Sequence, residues 1–342
     1  MQPNDPIKRS RRNSGAVTVR DVAKIAGVAP ITVSRAINHP ETVSAELLRR
    51  VHDAVARTGY VPNLMAGSLS SSKSKLIAAV IPSTVFSVFT ETIESLNNAL
   101  FDAGYQLMLG QSQYLASREE ALLGAVIGRR PDGIFLTGIM PPSNARKRLL
   151  ASGIPVVETW DLTPTPIDML IGFSHHKIGL AVADYFISKG YQRFASVRAS
   201  DERADRRMSA FVERAAQQGL PPVQVINVGS ERTLTRGRQA LAEILENTTR
   251  VDAVFCSSDL LALGVLTEAR ARNIRIPDGL AVMGFGGVPI IENMIPALST
   301  VQINSGKIGA LAAEYLIARA EGRVVQMPTV DVGFSIHERD ST

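Results

Sequence analysis

Thr18 to Asn38, TVRDVAKIAGVAPITVSRAIN, constrains the fold of this chain more than any other stretch. Val19, Val22, Ala23 and Ala26 recur at i, i+3, i+4 and i+7, the spacing of one apolar face on a short helix. Gly27 follows, where a left-handed backbone costs least. Pro30 suits the first turn of a second helix, because its missing N–H is not needed there. Val33 and Ile37 then face inward, which leaves Ile31, Thr32, Ser34 and Arg35 on the outside. Two short helices joined by a tight glycine turn, the second presenting small polar groups and an arginine, describe a helix-turn-helix. An ordinary helical hairpin in a core shares the spacing.

Charge points the same way. Residues 1–75 hold 12 Lys and Arg against 5 Asp and Glu, whereas the remainder holds 25 against 27. The whole excess behind the net charge of +5 therefore lies in the first fifth of the chain. Such asymmetry indicates a polyanion-binding module attached to a near-neutral body. Within it, Lys8-Arg9-Ser10-Arg11-Arg12 is either a solvated tail or part of a disordered basic arm, residues 1–17, that touches phosphates.

A third helix is expected from Ala45 to Thr58, capped by Ser44, with Leu48, Val51 and Val55 inward and Gly59 at its end. Residues 18–62 then form a three-helix DNA-binding domain, and residues 63–75 a hinge and a polar, flexible linker. Beyond Leu76, short apolar runs alternate with helical stretches. Strands are expected at Leu76–Ile81, Tyr105–Gly110, Gly133–Gly138, Ile154–Glu158, Phe194–Arg198, Val223–Val228, Ala253–Cys256 and Ala281–Phe285. Helices fall between them, among others at Phe89–Ala103, Arg118–Arg129, Ser143–Ser152 and His176–Lys189. That rhythm predicts parallel sheets with helices on both faces, and the number of strands predicts two α/β lobes over residues 76–342.

Several function classes are excluded at this level. No run of eighteen apolar residues exists, so no spanning helix and no membrane partner are expected, and the basic N-terminus lacks a secretory signal's apolar segment. One cysteine, Cys256 in an apolar run, suits a reducing cytoplasm and reads as a small core residue. The five histidines, His39, His52, His175, His176 and His337, make no i, i+4 pair, so no metal site stands out. No nucleophile elbow, phosphate-binding loop or strand-linked dinucleotide fingerprint appears. The chain is therefore read as neither an enzyme nor a cofactor protein. A transport receptor lacks reason for a basic head, and a nucleoid protein lacks reason for so large a body.

The Thr18–Asn38 segment, together with Val43-Ser44 and Gly59-Tyr60-Val61-Pro62-Asn63, resembles the DNA-binding head of the LacI/GalR family of bacterial repressors. The resemblance runs to about Ser335. It implies an all-α helix-turn-helix head with a hinge helix, followed by an α/β two-lobed core like that of periplasmic binding proteins. It also implies a cytoplasmic homodimer on double-stranded operator DNA, and three passages between lobes, placed near Ser174, Ile303 and Phe334. The family's tetramers carry an additional C-terminal heptad segment. Only His337 to Thr342 follow the last strand here, so a dimer is expected.

The resemblance also assigns residues. Pro30, Ile31 and Arg35 fall at base-reading positions; Thr18, Thr32, Ser34, Asn38 and Tyr60 complete the head's DNA face. The hinge helix Asn63–Leu69 contributes Asn63, Ala66 and Leu69, the leucine being the minor-groove wedge rather than linker filler. Pro30-Ile31 departs from the usual polar pair and leaves only apolar contact with bases. Ala29 stands where Ser often caps the helix, and Gly67 weakens the hinge helix. The effector cleft is expected at Ser83 to Phe86, Arg203, Arg207, Ser258, Asp259 and Gly286. Gly286 replaces a common Asp and Ser258 a common Asn. With Arg203, Arg207 and Arg232 retained, the cleft favours an anionic ligand. This pattern is most similar to the gluconate-responsive branch, which implies a repressor of sugar-acid catabolism released by a gluconate-like effector. A neutral sugar, a phosphorylated or keto sugar acid and a purine are the alternatives, and Arg207 has a surface salt bridge as its alternative role.

Overall fold

The structure, a computed structural model, describes residues 17–61, 73–83, 88–140, 143–247 and 250–342. The chain divides into two units, one ending at Ser72 and one running from Lys73 to Thr342.

The first unit holds α1 (Val19–Ala26), α2 (Pro30–Asn38) and α3 (Ala45–Thr58). Its core is made of small side chains: Val22, Ala23 and Ala26 from α1, Val33 and Ala36 from α2, and Val51 and Ala54 from α3. The inward face of α2 is thus Val33 and Ala36, with Ile37 only half-buried against the rim. Alanine at that position lets short helices approach closely, where isoleucine would hold them apart. Gly27 adopts φ +65°, the left-handed turn for which glycine carries no Cβ penalty. The Arg50 guanidinium donates to the Ala26 carbonyl at 2.6 Å, satisfying one of the orphan carbonyls that end α1. Ser44 caps α3 by accepting from the Leu47 N–H, whereas Ala29 leaves the start of α2 without a side-chain cap.

The second unit contains two six-stranded sheets. The first has the order β11-β5-β4-β3-β1-β2, with β1 (Leu76–Ile81), β2 (Gln106–Gln111), β3 (Gly133–Thr137), β4 (Val156–Thr159), β5 (Met169–Gly172) and β11 (Thr329–Asp331), all parallel. The second has the order β12-β10-β9-β8-β6-β7, with β6 (Phe194–Arg198), β7 (Gln224–Asn227), β8 (Ala253–Cys256), β9 (Ala281–Gly286), β10 (Ser299–Gln302) and β12 (Ser335–His337). Only β12 runs antiparallel in it, against β10. Central strands such as Leu76–Ile81 and Ala253–Cys256 are continuous apolar runs because both faces are covered by helices.

Eight α-helices and a 3-10 turn at Pro289–Asn293 complete the described part of this unit: α4 (Thr90–Asp102), α5 (Ala116–Gly128), α6 (Asn144–Ser152), α7 (His175–Ser188), α8 (Glu202–Gln217), α9 (Leu234–Asn247), α10 (Asp259–Ala271) and α11 (Ser305–Ala320). The chain passes from the first sheet to the second between β5 and α7, returns between β10 and α11, and leaves again between β11 and β12. α11 belongs with the first sheet, packing on α4 and on β3, β4 and β5. The linker's last residues are not free: the Asp132 carboxylate accepts from the Ser74 N–H (2.7 Å), the Ser74 hydroxyl (2.9 Å) and the Lys75 N–H (2.9 Å). β5, β10, β11 and β12 escape the sequence reading; of these, STVQ, TVD and SIH carry no continuous apolar run.

Candidate functional site

In the first unit, the outer face of α2 offers the chemistry of base and phosphate contact. Ile31 is 68% exposed, an unusual position for a large apolar side chain, and Arg35 and Asn38 are exposed beside it. Thr32 and Ser34 are half-buried, and the Asn38 amide donates to the Ser34 hydroxyl at 3.2 Å. Pro30 forms the first turn. Thr18 opens α1, its N–H and hydroxyl both donating to the Asp21 carboxylate at 2.8 and 2.7 Å. Tyr60 packs half-buried against the core. Asn63, Ala66 and Leu69 lie outside the described residues, as does Phe86.

The second candidate site lies between the two lobes, where side chains from the first turns of α8 reach Asp161 and Phe89 of the first lobe. Helical spacing along α8 buries Ala204, Arg207, Met208, Ala210 and Phe211 together. Arg207 is thereby drawn into the interior at 4% exposure, not paired on the surface. Its Nη1 donates to His175 Nδ1 at 2.7 Å and its Nη2 to the Ser257 carbonyl at 3.1 Å. The guanidinium stacks on Phe285, 3.6 Å from the ring centroid. Its Nε–H is buried with no partner among the described residues, and no carboxylate there lies within ion-pair distance of it. Burial pulls its pKa down to about 9, against the opposing pull of the Asp201 charge.

His175 settles its own tautomer. An arginine can only donate, so Nδ1 must accept; Nε2, 2.9 Å from the Trp160 carbonyl, must then carry the proton. Burial, reinforced by the Arg207 charge, holds its pKa well below the usual histidine range. The unfolded chain takes up a proton as pH falls below about 6.5, whereas this folded site refuses it, so stability is lost on acidification.

Other arginines span the lobes. Arg206 donates to the Asp161 carboxylate across the cleft at 2.7 Å. Arg203 lies 3.8 Å from Asp201 while its guanidinium sits 5.5 Å from the Phe89 ring centroid in the first lobe. Arg232 binds the other Asp201 oxygen at 2.5 Å and lies 3.8 Å over the Tyr114 ring. Asp201, which also caps α8, is held below the usual carboxylate range by Arg203 and Arg232 even though burial works against them. Asp161 moves the other way, because its burial outweighs Arg206. The cleft floor is aromatic, with Phe89 edge-on to Trp160 at 4.8 Å, Trp160 to Phe173 at 5.6 Å and Phe173 to His175 at 4.8 Å.

The remaining expected residues are used differently from one another. Asp259 is 1% exposed and spends its carboxylate internally, accepting from the Gly287 N–H (2.6 Å), the Val288 N–H (2.9 Å) and the Thr300 hydroxyl (2.6 Å). Ser258 turns its hydroxyl to the Leu261 N–H and caps α10. Both therefore brace local backbone, Ser258 at the start of α10 and Asp259 at the turn that follows β9. Ser83 lies at the end of β1, half-buried. Gly286 has φ +126°, and a Cβ there would stand 2.2 Å from Val88 Cγ1 of the first lobe. A side chain at this position would therefore have to displace Val88. Sequence reasoning overlooked His175, Trp160 and Asp161 as cleft residues. His175 carried a signal, because it shares the helical spacing of the buried Ile178, Gly179 and Val182.

Among the described residues, no group of His, Cys, Asp and Glu is arranged to hold a metal ion, and no helix is long and apolar enough to cross a membrane. Comparison with known proteins covers both units. The description "Bacterial regulatory proteins, lacI family" matches residues 18–63, and "Periplasmic binding protein-like domain" matches residues 183–342. The chain is 34% identical over 337 residues to the HTH-type transcriptional regulator GntR of Pseudomonas aeruginosa, covering 98% of each. It is 30% identical over 319 residues to the HTH-type transcriptional regulator GntR of Escherichia coli K12, covering 93% of this chain and 96% of that one. A crystal structure of a LacI-family transcriptional regulator from Silicibacter pomeroyi matches with a TM-score of 0.89 at 31% identity, covering 95% of this chain and 99% of that one.

Proposed function

The chain belongs to the LacI family of bacterial regulatory proteins, and from that premise we propose a transcriptional repressor of sugar-acid catabolism, released from its operator by a gluconate-like effector. In this reading a cytoplasmic homodimer sets two heads on the half-sites of a pseudo-palindromic operator. Arg35 reads a base edge, Thr32 and Ser34 hold phosphates or bases, and Ile31 makes apolar contact. Asn63, Ala66 and Leu69 contact the DNA from the hinge, with Leu69 as the minor-groove wedge. Two of the relatives share the name GntR, which supports a sugar-acid effector.

The observation that carries the effector class is Arg207. A cation this deeply buried, without a carboxylate partner among the described residues, is costly to keep. It also keeps an Nε–H and further guanidinium hydrogens available for a planar, bidentate carboxylate. A sugar hydroxyl satisfies such a donor less well than a carboxylate does, by about 1 kcal/mol per hydrogen bond. The aromatic floor covers the apolar face of a small ring or chain.

Calorimetry with gluconate, glucose and a purine tests the proposal, with operator release followed by fluorescence anisotropy. Native protein should prefer gluconate to glucose. Arg207→Leu should lose two charge-assisted bonds, about 1.5–3 kcal/mol each, and so bind gluconate at least about 100-fold more weakly. It should still bind operator, giving a repressor that effector no longer releases. Glucose or a purine binding more tightly than any sugar acid, with Arg207→Leu indifferent, refutes the anionic-effector reading.

A further inference from the structure

We infer that His175 is the positioning residue for Arg207: its Nδ1 lone pair aims the guanidinium into the cleft, and the Trp160 carbonyl keeps that lone pair available. The inference rests on the reading of Arg207 as the effector's anchor.

The geometry joins three parts of the fold. Trp160 follows β4 in the first lobe, His175 opens α7 just after the first passage between lobes, and Arg207 projects from α8 in the second. Trp160 is 1% exposed and adopts φ +66°, a conformation non-glycine residues rarely hold, so its backbone carbonyl is directed by packing rather than by preference. That carbonyl accepts from His175 Nε2, which forces Nδ1 to be the acceptor. His175 is itself clamped between Phe173 at 4.8 Å and Phe285 at 6.1 Å, and Phe285 carries the Arg207 guanidinium. The imidazole therefore cannot rotate without disturbing the surface on which Arg207 stacks.

The surrounding charges keep the relay in one state. Arg203, Arg206 and Arg207 of α8 all face His175 with positive charge, while Asp161 and Asp201 are engaged with Arg206, Arg203 and Arg232. A protonated imidazole would present Nδ1–H to an arginine N–H 2.7 Å away, two donors head to head. Arg207 would then have to leave its place. The anchor is in register only while His175 is neutral.

Two substitutions separate this role from simple support. Asparagine places an oxygen near the Nδ1 position and preserves the acceptor facing Arg207, but it gives up the bond to Trp160. Glutamine places an N–H near Nε2 and preserves the bond to Trp160, but it gives up the acceptor. Gluconate affinity by calorimetry should fall at least 10-fold further in His175→Gln than in His175→Asn. In an Arg207→Leu background the two should become indistinguishable. A reversed or equal ranking in the native background overturns the inference. The imidazole nitrogens read out the same arrangement without any ligand: ¹⁵N NMR of the full chain should show His175 with Nε2 protonated and Nδ1 bare from pH 7.5 to 5.5. A protonated Nδ1, or titration near 6.5, overturns the inference as well. If gluconate fails to bind the native protein, the effector reading falls alone, and the nitrogen shifts still decide the role of His175.

Discussion

Alanine at position 286 tests whether the two lobes meet where the structure places them. The added Cβ would sit 2.2 Å from Val88 Cγ1, 3.3 Å from Val88 Cβ and 3.4 Å from Asp259 Oδ2, on a backbone with φ +126°. The backbone share of the cost is about 1–3 kcal/mol, since a side chain is being forced into a region reserved for glycine. Overpacking against Val88 adds roughly 1–3 kcal/mol. For a unit of this size, 1 kcal/mol corresponds to about 2–4 °C, so the summed cost of about 2–6 kcal/mol should lower the melting temperature of Gly286→Ala by roughly 4–24 °C. Val88→Ala removes the methyl group at 2.2 Å and should restore the overpacking share but not the backbone share.

A four-member cycle of native, Gly286→Ala, Val88→Ala and the double variant, followed by thermal melting, isolates that share as a coupling of about 1–3 kcal/mol. Strict additivity, or a Gly286→Ala melt within a degree of native, refutes the contact. Gly286→Asp belongs in the same experiment. If position 286 acts sterically, Asp and Ala should weaken gluconate binding alike; if it acts by charge, only Asp should.

Arg35→Ala should cost about 1–3 kcal/mol of discrimination between the operator and a half-site variant, whereas Lys8→Ala should weaken all DNA alike and reduce the salt slope; anisotropy titrations at several salt concentrations separate the two. Asp259→Ala should strand two backbone N–H groups and cost about 2–5 kcal/mol of stability in urea denaturation. Asp259→Asn, which can still accept from them, should cost far less, and a loss of gluconate binding in Asp259→Asn at native stability would show that Asp259 touches the ligand after all.

How much of this was legible in the sequence depends on the range of the interaction concerned. The head was readable almost whole, because α1, Gly27 and α2 interact with near neighbours and their spacing alone places Ile31 and Arg35 outside. The lobes were readable as alternation, because parallel strands buried on both faces are continuous apolar runs. Along α8, the 3.6-residue period separates Arg207, which falls in with Ala204, Met208 and Phe211, from Arg206, which stays half-exposed on the flank. What no local pattern carried was the partner of each group. His175 and Ser257 lie 32 and 50 residues from Arg207, and Thr300 lies 41 from Asp259.

Resemblance assigned Ser258 and Asp259 to the ligand by their matching positions, yet a hydroxyl or carboxylate beside a helix start is equally suited to capping and bracing backbone. Which use prevails is set by whether unpaired N–H groups converge on it, and the β9 turn at Gly287 and Val288 supplies two to Asp259. Arg207 is the converse case. Burial there is only partly matched by hydrogen bonds, and an incompletely satisfied buried cation is a more specific sign of a ligand site than its residue type.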